Sequence, residues 1–144
     1  MPKSEKAPIE SNERIIRLFW YTNFKNGEPK SSGFKPKKDE HEGISLFREE
    51  CLTEPLECLK AILDEGKRDY YGVISYPHSA FTSRQMSFVL DHIEEVPGHV
   101  LLTSINPSSW NEDKNNFRYR VDELTSDDSR RIIRMPIKTD YKPV

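Results

Sequence analysis

The chain has 144 residues, of which 35% are hydrophobic and 32% are charged, and its formal net charge at pH 7 is −2. This length fits a single domain. The small negative net charge argues against a protein that coats nucleic acid, which needs a basic surface. The longest apolar runs are only a few residues, so we expect neither a transmembrane span nor a signal peptide, and a cytoplasmic location follows.

The charges are distributed unevenly along the chain. Residues 1–38 contain nine Lys and Arg against four Glu, a net charge of +5, and residues 39–66 contain two against nine Asp and Glu, a net charge of −7. Such a sequence predicts a dipolar surface, which suits oriented docking to another protein and also occurs without any function.

The two cysteines, Cys51 and Cys58, are seven positions apart. Seven positions on one helix separate two residues by roughly 10 Å, which is beyond disulfide reach. Neither cysteine lies in a CxxC or a Cys/His metal-ligand pattern. We therefore expect reduced thiols, no metal site and no cofactor.

The predicted domain organisation is simple. Residues 1–12 are polar, contain two prolines and lack periodicity, so we expect a disordered N-terminal tail there. Residues 13–138 are predicted to form a single α+β domain, and 139–144 a C-terminal tail. The order of elements predicts a small mixed sheet with two or three packed helices.

Strand signals recur along the domain in segments rich in β-branched and aromatic residues. The strongest turn signal, Asn26-Gly27, follows the first of them. The predicted strands are 14–24, 43–47, 70–76, 99–105 and a final strand within 124–137, entered through a short helix or an exposed turn.

The clearest helix is predicted after Thr53, a good N-cap, and ends at Gly66. Residues 82–93 also fit a helix, since Met86, Val89 and Leu90 recur at helical spacing. The competing interpretation makes only the second part of that segment a strand. The polar stretch 111–121 is predicted to be a loop.

The loop "SSGFK" at residues 31–35 combines serines, a glycine and a lysine, groups that together can hold a phosphate. Neither a Walker motif nor a dinucleotide fingerprint is present. We therefore interpret the loop as an anchored polar turn, with Phe34 packed on the domain and Ser31 and Ser32 exposed. Protein docking and anion binding remain alternatives. Nucleic-acid binding through Lys35 and its neighbouring lysines has weaker support, because acidic residues follow directly.

His99 opens a predicted strand after a Pro-Gly turn. A strand-end histidine is most simply hydrogen-bonded to backbone, but it is also the best candidate for a general acid or base. Arg17 is a polar residue within an apolar strand. The sequence offers no catalytic residue set, and the candidate binding surface comprises Arg17, Ser31, Ser32, Phe34, Lys35, Ser45 and His99.

The segments "SSGFKP", "GIS", "GV" and "PGH", in this order, resemble a group of short bacterial proteins of unknown function. The resemblance covers about residues 14–105. It implies a bacterial, cytosolic single domain in which Ser31, Ser32, Phe34, Gly43, Ser45 and His99 mark a shared surface. It implies no catalytic activity.

We expect a protein-binding or regulatory component of a multi-protein system, of the defence or toxin–antitoxin kind. The first alternative is a nucleotide-handling enzyme that resembles an ADP-ribosyltransferase, with Arg17, Ser31, Ser32 and His99 converging on one substrate. That alternative lacks a candidate for the catalytic glutamate. The second alternative is a nucleic-acid-binding accessory protein. The sequence leaves the oligomeric state open, and no membrane association is expected.

Overall fold

The computed structural model describes residues 3–20, 23–26, 28–35, 42–52, 70–94, 96–114 and 117–134. Within these ranges the chain forms eight strands and three short helices. They are β1 (Arg14–Trp20), β2 (Phe24–Lys25), β3 (Glu28–Pro29), β4 (Ile44–Arg48), β5 (Tyr70–Pro77), α1 (His78–Thr82), β6 (Met86–Leu90), β7 (His99–Ser104), α2 (Trp110–Asp113), α3 (Phe117–Thr125) and β8 (Arg131–Arg134).

Six of the strands form one sheet with the order β6-β7-β4-β1-β5-β8. The α+β class predicted from the sequence is confirmed. The sequence predicts a mixed sheet, whereas every described pair of neighbouring strands is antiparallel. The reason is that β4 and β5, which run in the same direction, lie on either side of β1 and do not pair with each other.

The predicted turn is also confirmed at Asn26, the part of it that the structure describes. Strands β2 and β3 form a two-stranded hairpin in which Lys25 pairs with Glu28. Asn26 has a φ angle of 52°, which is in the left-handed region that two-residue hairpin turns require. Asparagine tolerates that region better than most residues.

The main core lies on one face of the large sheet. Alternate residues of the strands point to this face, and side chains of all three helices and of the 3₁₀ turn Ser31–Phe34 pack onto it. Its buried members are Ile15, Phe19, Phe34, Ile44, Leu46, Ile74, Tyr76, Ala80, Phe81, Met86, Val100, Leu102, Trp110, Phe117, Val121 and Leu124. We call this side the helix-covered face.

Intervening residues of β1, β4 and β5, together with residues of the segments that follow β4 and β6, form a smaller apolar cluster on the opposite side, which we call the second face. Its buried members are Ile16, Leu18, Phe47, Leu52, Val73 and Val96, and Ile93 packs against them. The apolar residues on both faces explain why the first strand shows no polar face in the sequence.

The helix predicted over 82–93 is wrong, and the competing strand interpretation is correct. Helix α1 ends at Thr82, Gln85 has a φ angle of 60°, and β6 then pairs with β7. Strand β6 is at the edge of the described sheet and leaves Val89 and Leu90 partly exposed. Apolar residues therefore occur on both sides of this strand, and their spacing imitates that of an amphipathic helix.

The loop predicted over 111–121 is likewise wrong, because helices α2 and α3 occupy most of it. Trp110 and Phe117 are buried, and their rings meet edge to face with centroids 5.0 Å apart. Helix α3 has only three core residues, Phe117, Val121 and Leu124, and the last two lie at or beyond the end of the polar stretch 111–121. The stretch itself therefore shows no helical apolar pattern.

The final strand is confirmed by β8, which a turn over 127–130 precedes.

The N-terminal segment differs from the predicted disorder. Residues 3–12 lie against the sheet, where the buried guanidinium of Arg48 donates to the carbonyl oxygens of Glu5 and Ala7 at 3.1 and 2.7 Å. The backbone N–H of Lys3 also donates to the carbonyl of Glu50. Composition favours disorder, but these tertiary hydrogen bonds hold the segment in place.

Several predictions concern parts of the chain outside the described residues. They are the helix after Thr53, the thiol of Cys58 and the C-terminal tail 139–144. Where the structure does describe the chain, none of the helices has the length and apolar character needed to cross a membrane.

Replacing Phe34 with alanine should lower the free energy of unfolding by about 3–5 kcal/mol, because it removes a large buried side chain. Phe34 is almost fully buried, and its ring meets that of Phe19 at a centroid distance of 5.2 Å. Urea denaturation measures the change. The control is Lys35→Ala, since Lys35 is the exposed neighbour and should change stability by no more than about 0.5 kcal/mol. Equal stabilities of the two variants would refute the anchoring role of Phe34.

Candidate functional site

The structure divides the candidate binding surface between the two faces of the sheet. Arg17 alternates with Ile16 and Leu18 of the second face, so its side chain lies on the helix-covered face. Ser45 and His99 lie on the second face, where the His99 ring contacts Phe47 at a centroid distance of 5.2 Å. The sheet therefore separates the side chain of Arg17 from the side chains of Ser45 and His99, which the sequence places with it.

Arg17 is buried and hydrogen-bonded to backbone. Its Nε donates to the carbonyl of Gly33 at 3.0 Å, and its Nη1 donates to the carbonyl of Ser45 at 2.7 Å. These bonds tie the 3₁₀ turn to β4 beyond the point where the described β1–β4 pairing ends. Arg17 thus has a structural role in positioning the loop.

The loop Ser31–Lys35 is an anchored turn, as the sequence predicts. Phe34 and Gly33 are buried, Ser32 and Lys35 are exposed, and Ser31 is half-buried. A Cβ atom on Gly33 would overlap the ring of Phe19, so only glycine fits this close approach. The loop packs on the helix-covered face, and so Ser31 and Ser32 do not share a face with His99.

Ser45 and His99 do come together, and a third residue, Asp91, joins them. Ser45 Oγ lies 2.5 Å from His99 Nε2, and His99 Nδ1 lies 3.0 Å from Asp91 Oδ2. The three residues lie on the neighbouring strands β4 and β7 and just after β6. His99 is opposite Phe47 in the β4–β7 register, which places Ser45 diagonally across from it, and the backbone N–H of Asp91 donates to the carbonyl of His99.

The partners of His99 define its tautomer. Nδ1 lies within reach of two acceptors, the carboxylate of Asp91 and the backbone carbonyl of the same residue at 3.1 Å. In the neutral imidazole Nδ1 must then carry the proton, because neither partner can donate one. Nε2 is therefore the acceptor of a hydrogen bond that the Ser45 hydroxyl donates, which is the arrangement that a general base needs.

The backbone just before His99 is held from two directions. The carbonyl of Gly98 accepts from the backbone N–H of Arg48 at 2.9 Å, and the N–H of Gly98 donates to the Glu5 carboxylate at 2.9 Å. Gly98 has a φ angle of 82°, and a Cβ atom there would lie 2.6 Å from Cβ of Cys51. A substitution at Gly98 would therefore shift the start of β7, and His99 with it.

A buried ion pair and a second carboxylate stabilise the segment around Gly98. Glu13 and Arg48 are fully buried and joined by two hydrogen bonds, from Nε at 2.5 Å and from Nη2 at 3.0 Å. Burial opposes ionisation of Glu13, but the hydrogen bonds from Arg48 and Lys3 outweigh it and lower the pKa of the carboxyl. The N–H of Gly98, followed by His92, lowers the pKa of Glu5. Both carboxylates are therefore ionised at neutral pH.

Cys51 packs beside this turn as a buried thiol. Burial raises the pKa of its thiol above the ordinary value, so the thiol stays protonated at neutral pH. This agrees with the predicted reduced thiol, and it makes Cys51 a poor nucleophile.

Four residues of this region were not identified from the sequence, namely Asp91, Glu5, Glu13 and Arg48. The signal for Asp91 was available, because the strand interpretation of its segment places it two residues after Val89 on one face. The other three depend on contacts between the N-terminal segment and β4, which no local pattern encodes.

Within the described ranges no group of three or more His, Cys, Asp and Glu residues is arranged to hold a metal ion. Comparison of the chain with protein-family models, with curated proteins and with solved structures finds no match. The resemblance to short bacterial proteins stays a prediction.

Glu13→Gln should lower the free energy of unfolding by about 3–5 kcal/mol near neutral pH, because it leaves the buried charge of Arg48 without its carboxylate partner. The folded-state pKa of Glu13 lies below its usual value of 4.5. Its stabilising contribution is therefore complete above that value and is lost as the pH falls through the folded-state pKa. The difference in unfolding free energy between wild type and variant should shrink in acid.

Urea denaturation of both proteins at a series of pH values measures this difference. Glu112→Gln serves as the control, because Glu112 is an exposed carboxylate that should show little effect at any pH. A difference between wild type and Glu13→Gln that stayed constant throughout the acid range would contradict the assignment.

Proposed function

We propose that this protein binds another protein by accepting one of its extended segments as an additional strand beside β6. The observation that carries the proposal is the composition of β6. This strand is at the edge of the described sheet, and its sequence, MSFVL, contains neither a charged residue nor a proline. Natural sheets usually protect their edges with such residues, because an open edge exposes unpaired N–H and C=O groups.

The two edges of the described sheet differ in whether they contain charged residues. Strand β8, at the other edge, has the sequence RIIR and so begins and ends with arginine. On β6, by contrast, Val89 is 39% exposed and Leu90 is 46% exposed, and they point to opposite faces of the sheet. A partner strand beside β6 would therefore gain main-chain hydrogen bonds and apolar contacts on both faces.

The residues that follow β6 indicate the chemistry of the partner. Asp91 is half-buried, and Glu94 is exposed at the same end of the strand. We therefore expect a mainly apolar extended segment with a Lys or Arg residue near that end. The uneven charge distribution of the chain supports an oriented encounter of this kind.

A place in a multi-protein defence or toxin–antitoxin system remains part of the proposal, and the identity of the partner would test it. The two alternatives gain no specific observation. The enzyme that resembles an ADP-ribosyltransferase requires Arg17, Ser31, Ser32 and His99 around one substrate, but Arg17 and the serine loop pack on the face opposite His99. The nucleic-acid alternative rests on exposed Lys30 and Lys35 and on Lys37 and Lys38, which lie outside the described residues.

Val89→Lys should weaken partner binding at least tenfold, because a charge in the middle of the edge opposes the docking of an apolar strand. A photo-crosslinking amino acid at position 89 first captures the partner in extract of the native host. The captured protein is then purified, and calorimetry measures its affinity for wild type and variant.

Tyr119→Lys is the matched control. Tyr119 is an aromatic surface residue that is 81% exposed and lies on α3 and not on β6, so its replacement should leave the affinity within about twofold. Equal affinities of wild type and Val89→Lys would overturn the proposal. So would crosslinks that join only two copies of this chain, since β6 would then mediate self-association.

A further inference from the structure

We propose that Ser45, His99 and Asp91 form a second functional site, in which Ser45 is a nucleophile that attacks neutral esters with an apolar acyl group. This activity goes beyond partner binding and does not depend on it. The order of contacts, from hydroxyl to imidazole to carboxylate, is the arrangement that activates a serine in unrelated hydrolases, where it is recognised by geometry and not by sequence position.

Each distance in the site meets the requirement of its role. The separation of 2.5 Å between Ser45 Oγ and His99 Nε2 allows direct proton transfer to the imidazole. The Asp91 carboxylate, 3.0 Å from Nδ1, fixes the tautomer in which Nε2 accepts and can stabilise the imidazolium that forms. His99 thus has a hydroxyl on one ring nitrogen and acceptors on the other, in the order that the proposed roles require.

The scaffold holds these groups rigidly. Ser45 and His99 are within paired strands, and Asp91 continues the β6–β7 ladder by one hydrogen bond between its N–H and the His99 carbonyl. Sites built on strands keep their geometry better than sites on loops. The hydrogen bonds that Gly98 makes with the backbone of Arg48 and with the carboxylate of Glu5 hold the main chain immediately before His99.

The surroundings indicate the class of substrate. His99 is buried against the ring of Phe47, and half-buried Leu101 lies directly opposite Ser45 in the β4–β7 register. Ser45 is itself half-buried, and the side chain of Asp91 is 43% exposed. An apolar acyl group suits the phenyl and leucine side chains, and the nearby carboxylate disfavours an anionic substrate.

The proposed reaction has two balanced halves. Ser45 Oγ attacks the ester carbonyl carbon while its proton passes to His99 Nε2, and the alcohol leaves with that proton as the C–O bond breaks. Water then attacks the acyl-serine, gives one proton to Nε2, and releases the carboxylic acid as Ser45 regains its hydroxyl proton. The carboxylate of Asp91 stays ionised in both halves.

A fluorophosphonate reagent tests the nucleophile directly on the full chain. Ser45 Oγ should form a bond to phosphorus, fluoride should leave, and the hydroxyl proton should pass to His99. We expect stoichiometric labelling of wild type at Ser45, located by peptide mass spectrometry, and slow hydrolysis of p-nitrophenyl butyrate. Ser45→Ala should abolish both, and His99→Ala should slow labelling by about 100-fold or more, the contribution of a general base.

The variant Asp91→Asn tests whether the Asp91 carboxylate assists His99 as a base or has only a structural role. The backbone carbonyl of residue 91 still accepts from Nδ1, so the fold and the tautomer are retained, and labelling should slow, but by less than in His99→Ala. Ser87→Ala is the matched control. Ser87 is also on a strand next to β7, but its hydroxyl donates to the carbonyl of Ser104 and meets no imidazole among the residues that the structure describes, so wild-type labelling is expected.

The position of the label in wild type decides the proposal without relying on the stability of any variant. Wild-type protein that stays unlabelled at Ser45 under conditions that label a known serine hydrolase would overturn it. Labelling that is unchanged in folded His99→Ala, verified by circular dichroism, would overturn it as well, because Ser45 would then react without its base.

Discussion

The buried ion pair between Glu13 and Arg48 is the constraint on which much of this structure depends. Removing two charges from water costs several kcal/mol for each ion, and only good geometry with further hydrogen bonds offsets that cost. Two hydrogen bonds join the pair itself, but a guanidinium has five N–H donors. The remaining N–H groups of the Arg48 guanidinium therefore require oxygen acceptors, and the N-terminal segment supplies them through the carbonyls of Glu5 and Ala7. A segment that composition assigns to disorder is ordered by this requirement.

The same constraint extends to the candidate site. Arg48 ends β4, and its backbone N–H donates to the carbonyl of Gly98, the residue before His99. The N-terminal segment that Arg48 holds also carries Glu5, whose carboxylate accepts from the Gly98 N–H. Residue 48 thus holds Gly98 directly through its backbone N–H, and its guanidinium holds Gly98 indirectly through the N-terminal segment. The Glu5 bond to Gly98 depends on charge satisfaction at Arg48, because the guanidinium holds the segment that carries Glu5, whereas the other bond is an ordinary main-chain hydrogen bond.

The sequence predicted those parts of the fold that local patterns encode. The α+β class, the strands around Ile44 and His99 and the turn at Asn26 follow from β-branched content and turn chemistry, and they are confirmed. The two errors of secondary structure share a physical cause, since edge strand β6 and helix α3 have apolar patterns that only tertiary packing resolves. For the site, Ser45 and His99 were identified but were grouped with Arg17 and the serine loop. A single sequence cannot show which face of a sheet a strand residue will occupy once both faces are apolar.

Strand β6 connects the two proposals made for this molecule. Its exposed Val89 lies two residues before Asp91, so both side chains project from the second face. A partner strand that adds beside β6 would run past Asp91, and a basic residue at its end would compete with His99 for the Asp91 carboxylate. The backbone carbonyl of Asp91 would remain as the acceptor for Nδ1, so the tautomer of His99 would persist while the stabilisation of its protonated form declined. Protein binding at this edge would therefore reduce the reactivity of Ser45 through charge, without any change in the fold.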